Sequence, residues 1–489
     1  MFTNWKFKFK NLGPIKDATL ELGDLTIITG RNNTGKTYIV YTLYGFLRDF
    51  NELAESIMQD WSSSGPFSSV IDYPAKDMVD QVLRNNSFDL KISKEDLDKE
   101  RIHLFREMSG WYSYTGIDDV FNSRTNTFPN ATFDVEVDQG KNEYSSIRLD
   151  TLSGEISVFF LNDKLSFFID RKKEAGAKSE RDVLLQEHWL AHDLKKAYVQ
   201  FLLQDEQALN RRPHCSTSAR LAVSLFYPEL ESRRRTIVRR LQQKTETIED
   251  KSGRLWVPAD IIDESASRYA LPINDEIDFT KTIPNFAPDS DASDDNNEMR
   301  EIEEMMGGSF AKIDDAPYFI SSKDSPNEFR IPLHVASSSA VEISNLYFFF
   351  ALRRKGQDQL LIIDEPESHM DPINQIRLAR ALVRWVKSGV KILISTHSDF
   401  IVKEINNLIM LDGHFDDKEQ LLKELNYSEE DSIHPSAIKA YYAVDGGLEP
   451  CSMNEFGIEV PSFEQSIDEL IRVSSTLGSK ITSESSDSE

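Results

Sequence analysis

The sequence predicts an α/β fold: a mixed, chiefly parallel sheet with a small antiparallel β-subdomain and an inserted helical lobe. Three observations predict it. Leu25-Thr26-Ile27-Ile28-Thr29 is a short apolar strand that ends at Gly30 and gives way to a helical pattern. Leu360-Leu361-Ile362-Ile363 is a second such strand, followed by a helix over about 372–388. Lys391-Ile392-Leu393-Ile394-Ser395 is a third. Apolar runs of this kind suit strands buried on both faces, and their alternation with helices suits a parallel sheet.

Taken in order, the first thirty residues read as strands. Trp5, Phe7 and Phe9 alternate with lysines, and Leu20 and Leu22 follow a Gly-Pro turn. Beyond Lys36, the residues Ile39, Val40, Leu43, Tyr44 and Leu47 recur at helical spacing. From about 50 to 125 the pattern is weakly helical. Over 130–170, Phe133, Val135 and Val137 alternate, Ile156 to Phe160 and Leu165 to Phe168 suggest further strands, and Gly140 and Gly154 mark turns. Helices return from about 181, residues 285–300 form a Ser/Asp/Asn/Pro-rich acidic loop, and a helix is expected over about 340–355. The expected division is 1–50 together with 130–180, a helical insertion 51–129, a helical lobe 181–330, a second half of the main unit 331–475 and an acidic tail 476–489.

Bulk properties narrow the function. In 489 residues there is no apolar run of the length, about 18 or more, that spans a bilayer, so no membrane partner is expected. The period-two N-terminus is not a secretory signal, and the two cysteines, Cys215 and Cys451, make no disulfide framework, so a cytoplasmic location is expected. A net charge of -26 opposes non-specific binding to nucleic acid, which is possible here but not required. The stretch Arg233-Arg234-Arg235, Arg239-Arg240 and Lys244 is the one basic concentration. On a helix it lines one face, suited equally to nucleic acid and to the acidic stretch Asp289 to Glu304.

Gly30-Arg31-Asn32-Asn33-Thr34-Gly35-Lys36-Thr37 fits G-x-x-x-x-G-K-[ST] without a mismatch, with a buried strand before it and a helix after it. Each residue type has a physical task. Glycines let the backbone close round phosphate oxygens, and the amides of the loop and the helix start point at the anion. Lys36 reaches the β and γ phosphates of ATP, and the Thr37 hydroxyl ligates Mg²⁺. An apolar strand that delivers acids to the same edge is present where Leu360–Ile363 runs into Asp364-Glu365-Pro366. Asp364 is expected to hold the magnesium, and Glu365 to polarise the attacking water.

Asp364-Glu365-Pro366-Glu367-Ser368-His369-Met370-Asp371 resembles the Walker B and D-loop of ABC-type ATPases. The resemblance places Asp371 across a dimer interface and makes His369 a spacer. Ser395-Thr396-His397-Ser398 sits where that family has its switch histidine, so His397 would sense the γ-phosphate. Ala336-Ser337-Ser338-Ser339-Ala340 stands in place of the glycine-bearing signature turn, so Ser337, Ser338 and Ser339 would meet the nucleotide of a second copy. His214 to Arg220 is the candidate for the Q-loop, with Arg220 replacing or supplementing the glutamine.

Together with Gly307-Gly308, the end Tyr441 to Gly447 and Pro461-Ser462-Phe463, these segments resemble the AAA15/AAA21 ATPases related to OLD proteins. Such ATPases occur in the bacterial anti-phage systems Septu, PARIS and Gabija. The resemblance implies an ATPase head that pairs with itself and regulates a nuclease or toxin. No Toprim or other metal-nuclease cluster follows His397, so that effector is expected to be a separate protein. Two other readings stay open: a RecF- or SMC-like DNA-repair ATPase that binds DNA directly, and a non-catalytic nucleotide-binding scaffold.

Overall fold

The computed structural model describes residues 5–60, 75–123, 127–137, 144, 146–171, 180–203, 212–226, 269–286, 297–314, 316–322, 329–353, 359–460 and 471–477. The arginine stretch 233–244, the middle of the acidic loop (287–296) and the tail beyond 477 lie outside the described residues.

A six-stranded sheet organises the chain, in the order Gly447–Pro450, Ile438–Val444, Leu25–Gly30, Val390–Thr396, Gln359–Asp364, His214–Ser216. All neighbours run parallel except Gly447–Pro450, which returns antiparallel on Ile438–Val444. The fold is the α/β fold expected. Alternate side chains of the central strands enter two separate cores. Ile28, Leu360, Ile362 and Leu393 pack on one face, beneath the Lys36–Arg48 helix. Leu25, Ile27, Leu361, Ile363, Ile392 and Ile394 pack on the other, against the helices Ser338–Leu352, Pro372–Lys387 and Asp399–Met410. Burial on both faces explains why these strands read as continuous apolar runs rather than alternating ones.

Register brings the strand ends together. Thr396 lies opposite Thr29, Ser395 opposite Asp364 and Ser216 opposite Ile363. The loops that leave these strands therefore emerge along one carboxyl edge, where open α/β sheets bind ligands. Two of the helices that follow these strands begin with side-chain caps, from Asp371 and Ser398, and the Ser338–Leu352 helix, which precedes Gln359–Asp364, is capped by Ser337.

Among the described residues four smaller antiparallel sheets accompany this frame, and here the structure differs from the sequence reading. Thr132–Glu136 does not join the strands of 147–171; it pairs with Lys6–Leu12, which pairs in turn with Ile15–Glu21. The cause is aromatic packing: Phe133 lies 4.7 Å from Phe46, 5.3 Å from Phe9 and 5.2 Å from Tyr112, ring centre to ring centre. The stretch read as a weakly patterned helical insertion, 51–129, contains the strand Ser87–Lys91, which edges the sheet of Lys164–Arg171, Gly154–Phe160 and Ile147–Asp150. Five residues between two helices are too few to display a period. The stretch read as a helical lobe, 181–330, has the helices Glu180–Leu202, Leu271–Phe286 and Asn297–Met306. It also has the main-sheet strand His214–Ser216 and the hairpin Gly308–Ile313 with Ala316–Ser321. Phe310 drives that hairpin inward, 5.5 Å from Phe319 and 4.8 Å from Tyr347. Among the described residues no helix is long and apolar enough to cross a membrane.

Candidate functional site

The phosphate-loop motif forms the turn between Leu25–Gly30 and Lys36–Arg48. Its backbone needs conformations that side chains oppose: φ is +142° at Gly30, +61° at Asn33 and +98° at Gly35. A Cβ on Gly30 would stand 2.7 Å from the Ala443 carbonyl oxygen, and one on Gly35 would stand 2.5 Å from Ile15 Cδ1. Arg31, Asn32 and Asn33 are exposed, and the Thr34 hydroxyl donates to the Arg31 carbonyl at 2.9 Å. The Lys36–Arg48 helix starts without a side-chain cap and without an acid in its first turn. Its opening amides and the positive end of its dipole therefore face the loop, which favours an anion there.

Lys36 is buried, and burial lowers its pKa against the pull of Glu365, Asp364 and Glu367. Its ammonium donates to the carbonyls of Gly30 at 3.1 Å and Arg31 at 2.8 Å, and lies 3.5 Å from His397 Nδ1. His397 Nε2 is 3.3 Å from Glu365 Oε1. One tautomer satisfies both contacts: Nε2–H donates to Glu365, and Nδ1 accepts from Lys36. This hydrogen bond from His397 is the main reason the Glu365 carboxyl sits below its ordinary pKa.

Thr37 and Asp364, 327 positions apart in the chain, meet with the threonine hydroxyl 3.2 Å from Asp364 Oδ2. Asp364 is buried, which raises its pKa; hydrogen bonds from Ser395, Thr37 and Ser218 act the other way. Burial likewise raises Glu367, whose Oε1 accepts the His397 main-chain N–H at 2.5 Å. Ser395, Ser218 and Glu367 are site residues that sequence reasoning missed. Ser395 was legible in principle, as the end of a buried strand whose neighbour ends in an acid.

The remaining expected residues lie at the next loops along the edge. Asp371 caps the Pro372–Lys387 helix, accepting from the N–H groups of Ile373 and Asn374 at 2.9 and 3.2 Å. Ser337 caps the Ser338–Leu352 helix by accepting from Ala340 N at 3.3 Å, and Ser338 beside it is exposed. The Ser339 hydroxyl donates to the His369 carbonyl at 2.5 Å, tying that helix start to the loop before Asp371. Within one chain the structure thus gathers Lys36, Thr37, Asp364, Glu365 and His397 into one cluster. The three serines and Asp371 it assigns to helix caps and loop contacts beside that cluster.

A parallel α/β sheet whose carboxyl edge carries a glycine-bounded loop, a lysine and paired acids defines a domain of the phosphate-loop class. The chain belongs to the AAA ATPase domain family, whose match runs over residues 5–402. Comparison with curated proteins gives no match. Among solved structures, the chain is similar to an SmcHead bound to the C-winged helix domain of ScpA, at 11% identity, 92% of this chain, 98% of that chain and a TM-score of 0.31. It is also similar to the SMC head domain from Thermotoga maritima, at 10% identity, 92% and 100% coverage and a TM-score of 0.29. A third is the Smc head domain with an extended coiled coil bound to the C-terminal domain of ScpA from Pyrococcus furiosus, at 11% identity, 96% and 98% coverage and a TM-score of 0.29.

Proposed function

We propose that this chain binds and hydrolyses ATP with magnesium at the Lys36–Asp364 cluster, in the manner of ABC-type heads, and that two copies complete the site. The observation that carries this reading is the position of His397, between the Lys36 ammonium at 3.5 Å and the Glu365 carboxylate at 3.3 Å. A group placed there can report on a γ-phosphate to the acid that activates water.

The residues fit the groups they would hold. The Thr37 hydroxyl and the Asp364 carboxylate are oxygen donors, as a hard divalent cation requires, and they already converge. They would hold Mg²⁺, which supplies charge neutralisation at the phosphates. The uncapped helix start and Lys36 suit the phosphate chain. Glu365, kept ionised by His397, accepts the proton of the water that attacks the terminal phosphorus as the bond to the bridging oxygen breaks, giving ADP and phosphate.

The exposed Ser337 and Ser338 and the exposed Asp371 suit contact with the nucleotide and loops of a second copy. The output we infer is regulation of a separate effector protein, a nuclease or toxin, in an anti-phage complex. Resemblance to ATPases of such systems supports this, and the net charge of -26 favours a protein partner over direct DNA binding. Glu365→Gln tests the reading. The variant should bind ATP, release phosphate at least about a hundredfold more slowly and accumulate as a nucleotide-loaded pair in light scattering, with the effector co-purifying. Normal turnover by Glu365→Gln would end the catalytic assignment. Tight binding of duplex DNA at physiological salt would favour a RecF- or SMC-like role instead.

A further inference from the structure

Arg220 is buried, at 2% exposure, beside the proposed catalytic acid. It reaches this place because His214–Ser216 forms the edge strand next to Gln359–Asp364, and the turn after that strand faces the turn after Asp364. One guanidinium nitrogen donates to the main-chain carbonyl of Asp364 at 2.8 Å and to that of Thr217 at 2.9 Å. The other donates to the carbonyl of Glu365 at 2.6 Å and pairs with Glu342 Oε2 at 3.3 Å. Glu342 belongs to the first turns of the Ser338–Leu352 helix and is 1% exposed. Its other oxygen lies 3.6 Å from His369 Nε2, in the loop after Glu365.

Glu365 needs such a support. Its φ is +53°, a left-handed conformation that a side chain disfavours and that persists only when neighbours fix it. Three main-chain contacts fix it here: Glu365 N–H donates to the Ser395 carbonyl at 2.9 Å, and its own carbonyl accepts from the Ser368 N–H at 3.2 Å and from Arg220. Only a planar, forked cation spans two successive carbonyls and a carboxylate at once.

We propose that Arg220 is a positioning residue, which holds the Glu365 backbone in its left-handed turn and couples it through Glu342 to the start of the Ser338–Leu352 helix. The aim of the catalytic carboxylate then depends on where that helix sits. A partner copy that engages the Ser337–Ser339 turn acts on Glu365 through Glu342 and Arg220, without touching it. This inference rests on the ATPase reading above.

The test is Arg220→Lys in the full chain, with ATP turnover, nucleotide affinity and thermal melting measured side by side. Lysine keeps the charge opposite Glu342 but cannot span both carbonyls. The expected result is a melting temperature near that of the unaltered protein, a KM for ATP within about threefold and a kcat lower by roughly a hundredfold, the scale of a misaimed catalytic group. An unchanged kcat overturns the proposal. So does a parallel loss of kcat and ATP affinity, which a merely structural role predicts. Should Arg220→Lys fail to fold, the isosteric Glu342→Gln carries the same test, with reduced kcat at unchanged KM expected and unaltered kcat fatal. Failure of the function reading is separable: it would show as absence of turnover in the unaltered protein or its persistence in Glu365→Gln.

Discussion

Glu365 and His397 face each other at 3.3 Å across the ends of two adjacent parallel strands, and the same imidazole lies 3.5 Å from the Lys36 ammonium. His397→Ala removes the donor to Glu365 and the acceptor for Lys36 together. Since neither contact holds the phosphates directly, ATP affinity should stay within a few-fold of normal. Turnover should fall by about a hundredfold, the scale of losing one aimed hydrogen bond at a reacting group. Phosphate release against a fluorescent-nucleotide titration separates the two quantities. Equal losses in both would return His397 to a purely structural role.

The Thr37 hydroxyl donates to Asp364 Oδ2 at 3.2 Å. Thr37→Val keeps the shape and removes that oxygen, while Thr37→Ser keeps the oxygen and removes a methyl. The gain in ATP affinity on adding magnesium should vanish in the first variant and survive in the second. Titrations with and without a chelator measure it. Lys36→Ala should lose nucleotide binding under both conditions, because the buried ammonium is the cation placed inside the loop.

At Gly30 the constraint is the sheet itself. A methyl group there would meet the Ala443 carbonyl on the neighbouring strand at 2.7 Å, at a φ of +142°. Gly30→Ala should therefore destabilise the protein by about 1–3 kcal/mol through backbone strain alone. It should also weaken ATP binding, because the displaced Gly30 carbonyl is one of the two that hold Lys36. Denaturant midpoints check the first effect, and an unshifted midpoint would contradict it.

The parts of this site that could be read from sequence share one property: they are strand ends whose apolar run stops at a chemically distinctive residue. Gly30, Asp364 and Ser395 all close such runs, and doubly buried strands make the runs conspicuous. The rest lacks a period. His214–Ser216 is three residues long, so Arg220 could be singled out only through the resemblance of His214 to Arg220 to a Q-loop element, not through a strand pattern. Glu342 is hidden by its surroundings, a lone acid in a helix whose residues from Ala340 to Phe350 are all buried. Phe88 sits in a short strand whose partner, Phe167, comes from a distant segment, so its pairing is decided by packing rather than local preference.

Glu276 offers a pH test of the wall behind Arg220. It lies fully inside the Leu271–Phe286 helix packing, and its Oε2 accepts the main-chain N–H of Thr217 at 3.2 Å and the Thr217 hydroxyl. Burial pushes its pKa from 4.5 up to about 8, opposed by Thr217 and Arg220 and reinforced by Glu342. The folded value is the higher one, so between these two values the native chain holds more protons than the unfolded chain. Stability from this group is complete below the unfolded pKa, declines as the pH rises through the window and is gone above the folded pKa. Glu276→Gln stays neutral throughout and keeps an acceptor for Thr217. Its melting temperature should match or fall below that of the unaltered protein at about pH 5 and exceed it at about pH 8.5, with a flatter slope between. Two parallel curves over that range would show that Glu276 is already ionised in the folded chain, and that the acid is held by Thr217 and Arg220 more firmly than burial opposes it.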